Sequence, residues 1–146
     1  MRATAEAVYN AFTDPAALEI WQAPGDMKAT VHRFDLSVGG GYKMTLRYPD
    51  SEGSMEGKTT DKEDTFSARF VELVPYEKIV EAIRFDSPDP RFAGEMIMEV
   101  TISPIDAGTN VTIQFRNIPT GILPEDNEAG TSSSLEKLAR YVEAHR

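Results

Sequence analysis

Glu81 is the residue whose position demands most of its surroundings. It alternates with Ile79, Ile83 and Phe85, so a strand of period two carries its carboxyl onto an apolar face. An isolated ionised carboxylate there is costly, so the side chain must either find a partner or open onto a cavity. Burial also raises a carboxyl pKa, which is what general acid–base chemistry requires. Arg69, Arg84 and Arg116 are candidate cationic partners. Strict alternation sends Arg84 to the opposite face, and only a bulge would reverse that. His32 lies in a candidate strand and reads either as a general base or ligand contact, or as a hydrogen-bonded histidine on the sheet surface. His145 falls at a helix C-terminus, where a cation is favourable. The adjacent carboxylates Glu63 and Asp64, and the Asp86/Asp89 pair, fall at turn-like positions and are expected to be solvated.

The second chemical signal is a set of aromatic and methionine side chains. Tyr42, Met44, Leu46, Tyr48, Phe66, Phe70, Phe85, Met96, Met98 and Phe115 all fall at strand-alternating positions. Such a set forms either an ordinary core or the wall of an adaptable pocket whose tyrosine hydroxyls orient a ligand. Gly39-Gly40-Gly41 is not a phosphate loop, because no Lys-Ser/Thr follows at the required spacing. No Gly-x-Ser-x-Gly nucleophile elbow occurs.

The elements that must position these groups follow from local pattern. Thr4 suits an N-cap for a helix over residues 5–12, with Val8 and Phe12 on one face. Asp14 and Pro15 restart the chain as a second short helix ending at Trp21, before Pro24-Gly25. Period-two alternation then predicts strands over residues 30–36, 42–48, 55–60, 66–74, 78–86, 95–103 and 109–116. Asp106-Ala107-Gly108 marks a hairpin. The last element is a helix beginning at Pro124, or at an internal capping box formed by Ser133 and Glu136. Its apolar stripe is Leu135, Leu138, Ala139 and Val142. The plan is α+β: two short helices, a curved antiparallel sheet of six or seven strands, and one long C-terminal helix covering its concave face.

Composition narrows the function. The chain has 146 residues, the size of a single domain over 1–146, with 40% hydrophobic residues. Its net charge of −9 opposes phosphate backbones, so no nucleic-acid partner is expected. With no cysteine, disulfides and thiolate chemistry are excluded, and with only two histidines so placed no metal site and no cofactor are expected. No apolar run approaches the roughly 18 residues of a membrane span, so no stable membrane anchoring is expected. Met1-Arg2-Ala3-Thr4 lacks an apolar signal core, which makes a cytoplasmic location the expectation.

Several stretches together resemble the activator of heat-shock-protein-90 ATPase homologue family, within the START-like and birch-pollen-allergen-like superfamily. They are Ala5 to Leu18 (AEAVYNAFTDPAAL), Phe34 to Tyr42 (FDLSVGGGY), Phe70 to Pro75 (FVELVP), Gly108 to Thr112 (GTNVT), and Glu128-Ala129-Gly130-Thr131 through Leu135 to Ala139. The resemblance spans nearly the whole chain. It implies a helix-grip fold with a cavity between sheet and C-terminal helix, and a superfamily whose members bind lipids, sterols, polyketides or aromatic compounds, some as cyclases or dehydratases. The eukaryotic namesake stimulates a chaperone. Two departures stand out. Relatives usually carry a strand before the first helix, whereas this chain reaches that helix at Thr4, leaving a sheet edge that a second copy can cover as a homodimer. Relatives often carry tryptophans after the second helix and near the last; here Trp21 is followed by Gln22, and the last helix has Ser132-Ser133-Ser134.

The leading expectation is therefore binding of a small hydrophobic or aromatic molecule lined by Trp21, Tyr42, Met44, Tyr48, Phe66, Met98, Phe115, Leu138 and Tyr141. The alternatives are a cyclase- or dehydratase-type enzyme using Glu81 or His32, and a co-chaperone-like interaction module. A void of at least about 300 Å³ separates the first two from the third.

Overall fold

A computed structural model of the chain describes residues 1–48 and 63–144. The order of elements is α1 (Ala5–Phe12), α2 (Pro15–Trp21), β1 (Lys28–Asp35), β2 (Gly41–Arg47), β3 (Glu63–Val74), β4 (Lys78–Phe85), β5 (Met96–Ile105), β6 (Gly108–Arg116) and α3 (Pro124–Ala144). The two short helices start where their caps dictate. The Thr4 hydroxyl accepts from the Ala7 N–H at 3.1 Å, and the Asp14 carboxylate accepts from the Ala16 N–H at 3.0 Å. The last helix begins at Pro124 and runs unbroken to Ala144, so the internal start at Ser133 is not used. The strand expected over residues 55–60 and the histidine at 145 lie outside the described residues.

The six described strands form one antiparallel meander in the order β1-β2-β3-β4-β5-β6. Two bulges interrupt the register, at His32 in β1 and at Val71 in β3. Each adds a residue to one strand only, bending it and raising the local twist, which curls the sheet. Gly41 is required by close approach: its φ is +154°, and a Cβ there would lie 1.8 Å from the Ala68 carbonyl oxygen of the paired strand. The expected free edge is partly covered, since the Met1 ammonium donates to the Thr109 carbonyl and the Thr109 N–H donates back to the Met1 carbonyl, both at 2.8 Å.

The two faces of the sheet divide by charge. The outer face carries the ion pairs: Lys78 with Glu72 and Glu99, Arg69 and Arg84 with Glu95, Arg116 with Glu99. The inner face carries one apolar core into which α1, α2 and the C-terminal half of α3 pack, with Val8, Phe12, Leu18, Met44, Phe70, Val100, Leu138 and Val142 buried within it. Trp21 closes this core from α2, its indole edge-on to Phe12 at 4.8 Å and its N–H donating to the Ala11 carbonyl at 2.8 Å.

Leu138 is fully buried while Ile20 of α2 is 59% exposed. Leu138→Ala is expected to cost about 3 kcal/mol of unfolding free energy in urea titrations, and Ile20→Ala less than about 0.5. A loss below about 1 kcal/mol at Leu138 would show that this end of α3 is not seated on the sheet.

Candidate functional site

The inner face of α3 changes character along its length. Its first half presents Asn127, Gly130, Thr131 and Ser134, and its second half Leu138 and Val142. The large apolar residues reach the strands and are buried. The small and polar ones do not, and beneath them lies a cavity of about 340 Å³. Its floor is the curled sheet, with Tyr42 and Leu46 from β2, Phe66 from β3, Ile83 from β4, Met98 from β5 and Phe115 from β6. Trp21 and Gln22 close one side, and Pro24 and Met27 flank α3 there. The α2–β1 connection is fastened to the helix by polar contacts. The Gly25 N–H donates to the Ser133 hydroxyl at 2.9 Å, the Ser134 hydroxyl donates to the Gln22 carbonyl at 2.6 Å, and the Lys137 ammonium donates to the Ala23 carbonyl.

Glu81 projects from β4 into this cavity, alongside Ile83 and Phe85. Its cross-strand neighbours are Phe70 and Met98, so it is 1% exposed. The Tyr42 hydroxyl donates to its Oε1 at 2.7 Å, and the Gln22 side-chain amide donates weakly to that same hydroxyl at 3.5 Å. Burial pushes the Glu81 carboxyl up to about 7, against the smaller opposing effect of the Tyr42 hydrogen bond. Burial first, and the neighbouring Glu81 second, hold the Tyr42 phenol well above its ordinary range. A carboxyl poised near neutrality beside a phenol, both facing a cavity, can exchange a proton with a guest or hold a cation.

Of the side chains expected to surround a ligand, Trp21, Tyr42, Tyr48, Phe66, Met98 and Phe115 line the cavity. Met44 and Leu138 are instead packed into the solid core beside it, because here the helix touches the sheet. Tyr141 faces a separate shallow groove with Thr4, Ala7 and Val142, between α1 and α3. His32 sits apart from all of these. The bulge leaves it exposed on edge strand β1, its Nε2 at 2.7 Å from the Thr45 hydroxyl on the outer face, which in turn meets Thr65 at 2.9 Å. Arg84 lies on the face opposite Glu81, exposed and paired with Glu95.

Asp64 departs from expectation. It is not a solvated turn carboxylate: it belongs to β3, is 2% exposed, lines the cavity and accepts from the Tyr48 hydroxyl at 3.1 Å. The signal was present, since Asp64 precedes Phe66 by two and shares its face. Gln22 is the other residue not anticipated as lining, and its Oε1 is a buried acceptor without a partner among the described residues. Among those residues no group of three or more histidine and carboxylate side chains converges as a metal site would.

The Glu81 carboxyl makes stability depend on pH. Its folded pKa of about 7 lies above the ordinary value of 4.5, so between those values the folded state holds a proton that the unfolded state releases. This contribution is fully present below pH 4.5 and is lost as pH rises through 7. Glu81→Gln is expected to remove it, so that the variant gains about 1 to 3 kcal/mol over the parent in denaturant titrations at pH 8, and the gap closes toward pH 4.5. An unchanged gap across this range would show that the carboxyl does not titrate upward.

Comparison with known proteins places the fold. The family model described as activator of Hsp90 ATPase homolog 1-like protein matches residues 2–143. A crystal structure of a Chromobacterium violaceum protein superimposes with a TM-score of 0.86 at 35% identity, covering 98% of this chain and 92% of that one. The solution structure of an AHSA1-like protein from Aeromonas hydrophila gives a TM-score of 0.72 at 23% identity, over 99% of this chain and 88% of that one. A Rhodobacter sphaeroides protein gives 0.79 at 17% identity, over 100% and 89%. No curated protein matches the sequence. With its six-stranded curved sheet, two short N-terminal helices and long closing helix, the chain belongs to the activator of Hsp90 ATPase homolog 1-like family.

Proposed function

We propose that the chain is a receptor for a small, largely apolar molecule of aromatic size, held between the first half of α3 and the sheet. The observation that supports this is the coexistence, along one helix, of a fully packed half and a half standing off over about 340 Å³. Ligand cavities begin at about 300 Å³, and typically present apolar walls with a few fixed polar groups. Here the walls include Trp21, Phe66, Phe85 and Phe115, and the polar groups are Gln22, Tyr42, Asp64 and Glu81. Burial of the guest's apolar surface supplies the affinity, at roughly 25 cal/mol per Å² before the costs of association.

One observation favours a second reading, a cyclase- or dehydratase-type enzyme: the Glu81 carboxyl, raised to about 7 by burial, faces the cavity beside Tyr42. Conversion of a bound molecule that stops in Glu81→Gln while binding persists would select it. A co-chaperone role draws on the family's description alone. The large exposed apolar side chains, Ile20, Leu36, Val38, Ile105 and Leu123 among them, are spread over several elements.

Trp21 is the chain's one tryptophan and lines the cavity, so its emission reports occupancy. Native mass spectrometry of protein purified from its own host is expected to show a retained small molecule, and a neutral aromatic probe such as 2-naphthylmethanol to displace it and perturb Trp21. A Cβ at Gly130 meets nothing closer than Pro24 at 4.0 Å, so Gly130→Phe can fill the entrance without opposing the helix. It is expected to weaken probe binding by about tenfold or more, with the melting temperature held. Equal binding by parent and variant would remove the cavity from the account.

A further inference from the structure

We propose that the cavity selects a protonated amine carried on a flat apolar body, with Glu81 and the Gln22 amide oxygen holding the ammonium. This rests on reading the cavity as a ligand site and specifies the chemistry of the guest.

The polar groups on the sheet and α2 walls are matched to a donor. Gln22 Oε1 is a buried acceptor without a partner among the described residues. The Tyr42 proton is already committed to Glu81 and the Tyr48 proton to Asp64, so neither phenol offers its proton to a guest, and the Glu81 carboxyl remains an acceptor. Of the neutral lining side chains with donor protons, Trp21 donates to the Ala11 carbonyl, Gln22 to the Tyr42 hydroxyl and Ser134 to the Gln22 carbonyl, and Asn127 and Thr131 belong to the opposite wall on α3. The Gln22 amide nitrogen lies 3.5 Å and Glu81 Oε1 2.7 Å from the Tyr42 hydroxyl, so the two side chains meet around one phenol. An ammonium supplies three donors and no acceptor, which suits that spot as an alcohol or carbonyl does not.

Charge points the same way. The titratable groups that line the cavity are Glu81 from β4, Asp64 from β3, Asp126 from α3, and the phenols Tyr42 and Tyr48. Among the described lining residues there is no lysine, arginine or histidine. On the outer face Arg69, Lys78, Arg84 and Arg116 are engaged with Glu72, Glu95 and Glu99, and Lys43 and Arg47 pair with Asp86 and Glu63. Lys137 of α3 is turned to the Ala23 carbonyl. A carboxylate guest would thus meet the buried Glu81 with no lysine, arginine or histidine among the described lining residues, in surroundings where the repulsion is poorly screened. A cation would instead give the buried Glu81 a counter-charge, among the aromatic side chains of Trp21, Tyr42, Phe66 and Phe115. Because burial raises the Glu81 carboxyl to about 7, amine affinity increases as pH rises toward 8, where the carboxyl is ionised and the amine keeps its proton.

Three probes with one body test the inference: 2-naphthylmethylamine, 2-naphthylmethanol and 2-naphthoic acid, titrated calorimetrically into the full chain at pH 6 and pH 8. The amine is expected to bind about tenfold or more tightly than the alcohol at pH 8, with a smaller advantage at pH 6, and the carboxylate to bind weakest. Glu81→Gln is expected to erase the amine's advantage over the alcohol and its pH dependence, with a cooperative melting transition reporting that the variant is folded. Gln22→Leu, which leaves Glu81 in place, is expected to narrow the ratio of amine to alcohol affinity by a few-fold. If amine and alcohol bind alike, or the carboxylate binds best, the charge preference is wrong and the receptor reading stands. If no probe binds and native mass spectrometry finds no guest, both fall.

Discussion

A helix closes a curved sheet only where its inner stripe is long enough to reach the strands below. In α3 that condition holds at Leu138 and Val142 and fails at Gly130, Thr131 and Ser134. Everything distinctive about the interior follows from this change within one helix. The large residues fix the helix against Met44 and Phe12 in a solid core, and the small ones leave a roofed space over the aromatic floor. Interiors are otherwise packed to crystal-like density, so a void of this size persists only where the roof has another support. The serine and lysine contacts to the Gln22–Gly25 connection are that support, fastening the roof to its wall instead of its floor.

The same geometry explains why a carboxyl survives inside. Glu81 occupies a central strand, where an inward side chain has no route to bulk water except through the cavity. Tyr42 supplies one hydrogen bond, and Gln22 steadies the tyrosine. The energy is not thereby balanced, as the upward displacement of the carboxyl shows. Replacing such a group by one of equal shape without charge commonly stabilises a fold, so a stored cost of this kind is expected where a site needs it. Among the described residues no lysine, arginine or histidine lines the cavity, so its charged lining groups are acidic.

Much of the fold was legible because its local signals agree. Thr4, Asp14 and Pro15 mark the helix starts, and period two in β2, β4 and β5 places their inner residues correctly. Glu81 was legible for the same reason: alternation with Ile83 and Phe85 leaves only the inner face. The site was harder to read. Met44 alternates as faithfully as Tyr42, and alternation reports the face but not the position along it, so the two could not be sorted between core and cavity wall. Leu138 and Tyr141 were drawn in by membership of the closing helix, though which half stands off depends on side-chain length rather than periodicity. Asp64 was obscured by the expectation that neighbouring acidic residues mark a turn. His32 takes the second of its two readings, a hydrogen-bonded histidine on the sheet surface, at a bulge of β1.

The division of α3 also has a dynamic consequence. Its C-terminal turns share the stability of the whole molecule, because opening them exposes the core. Its N-terminal turns cover empty space and are held by a few surface hydrogen bonds, so they can fray without unfolding the rest. One continuous rod thus behaves as two segments of unequal permanence, anchored at Leu138 and loose toward Pro124. The loose arm is the part of the rod whose opening uncovers the cavity while leaving the core beneath Leu138 closed.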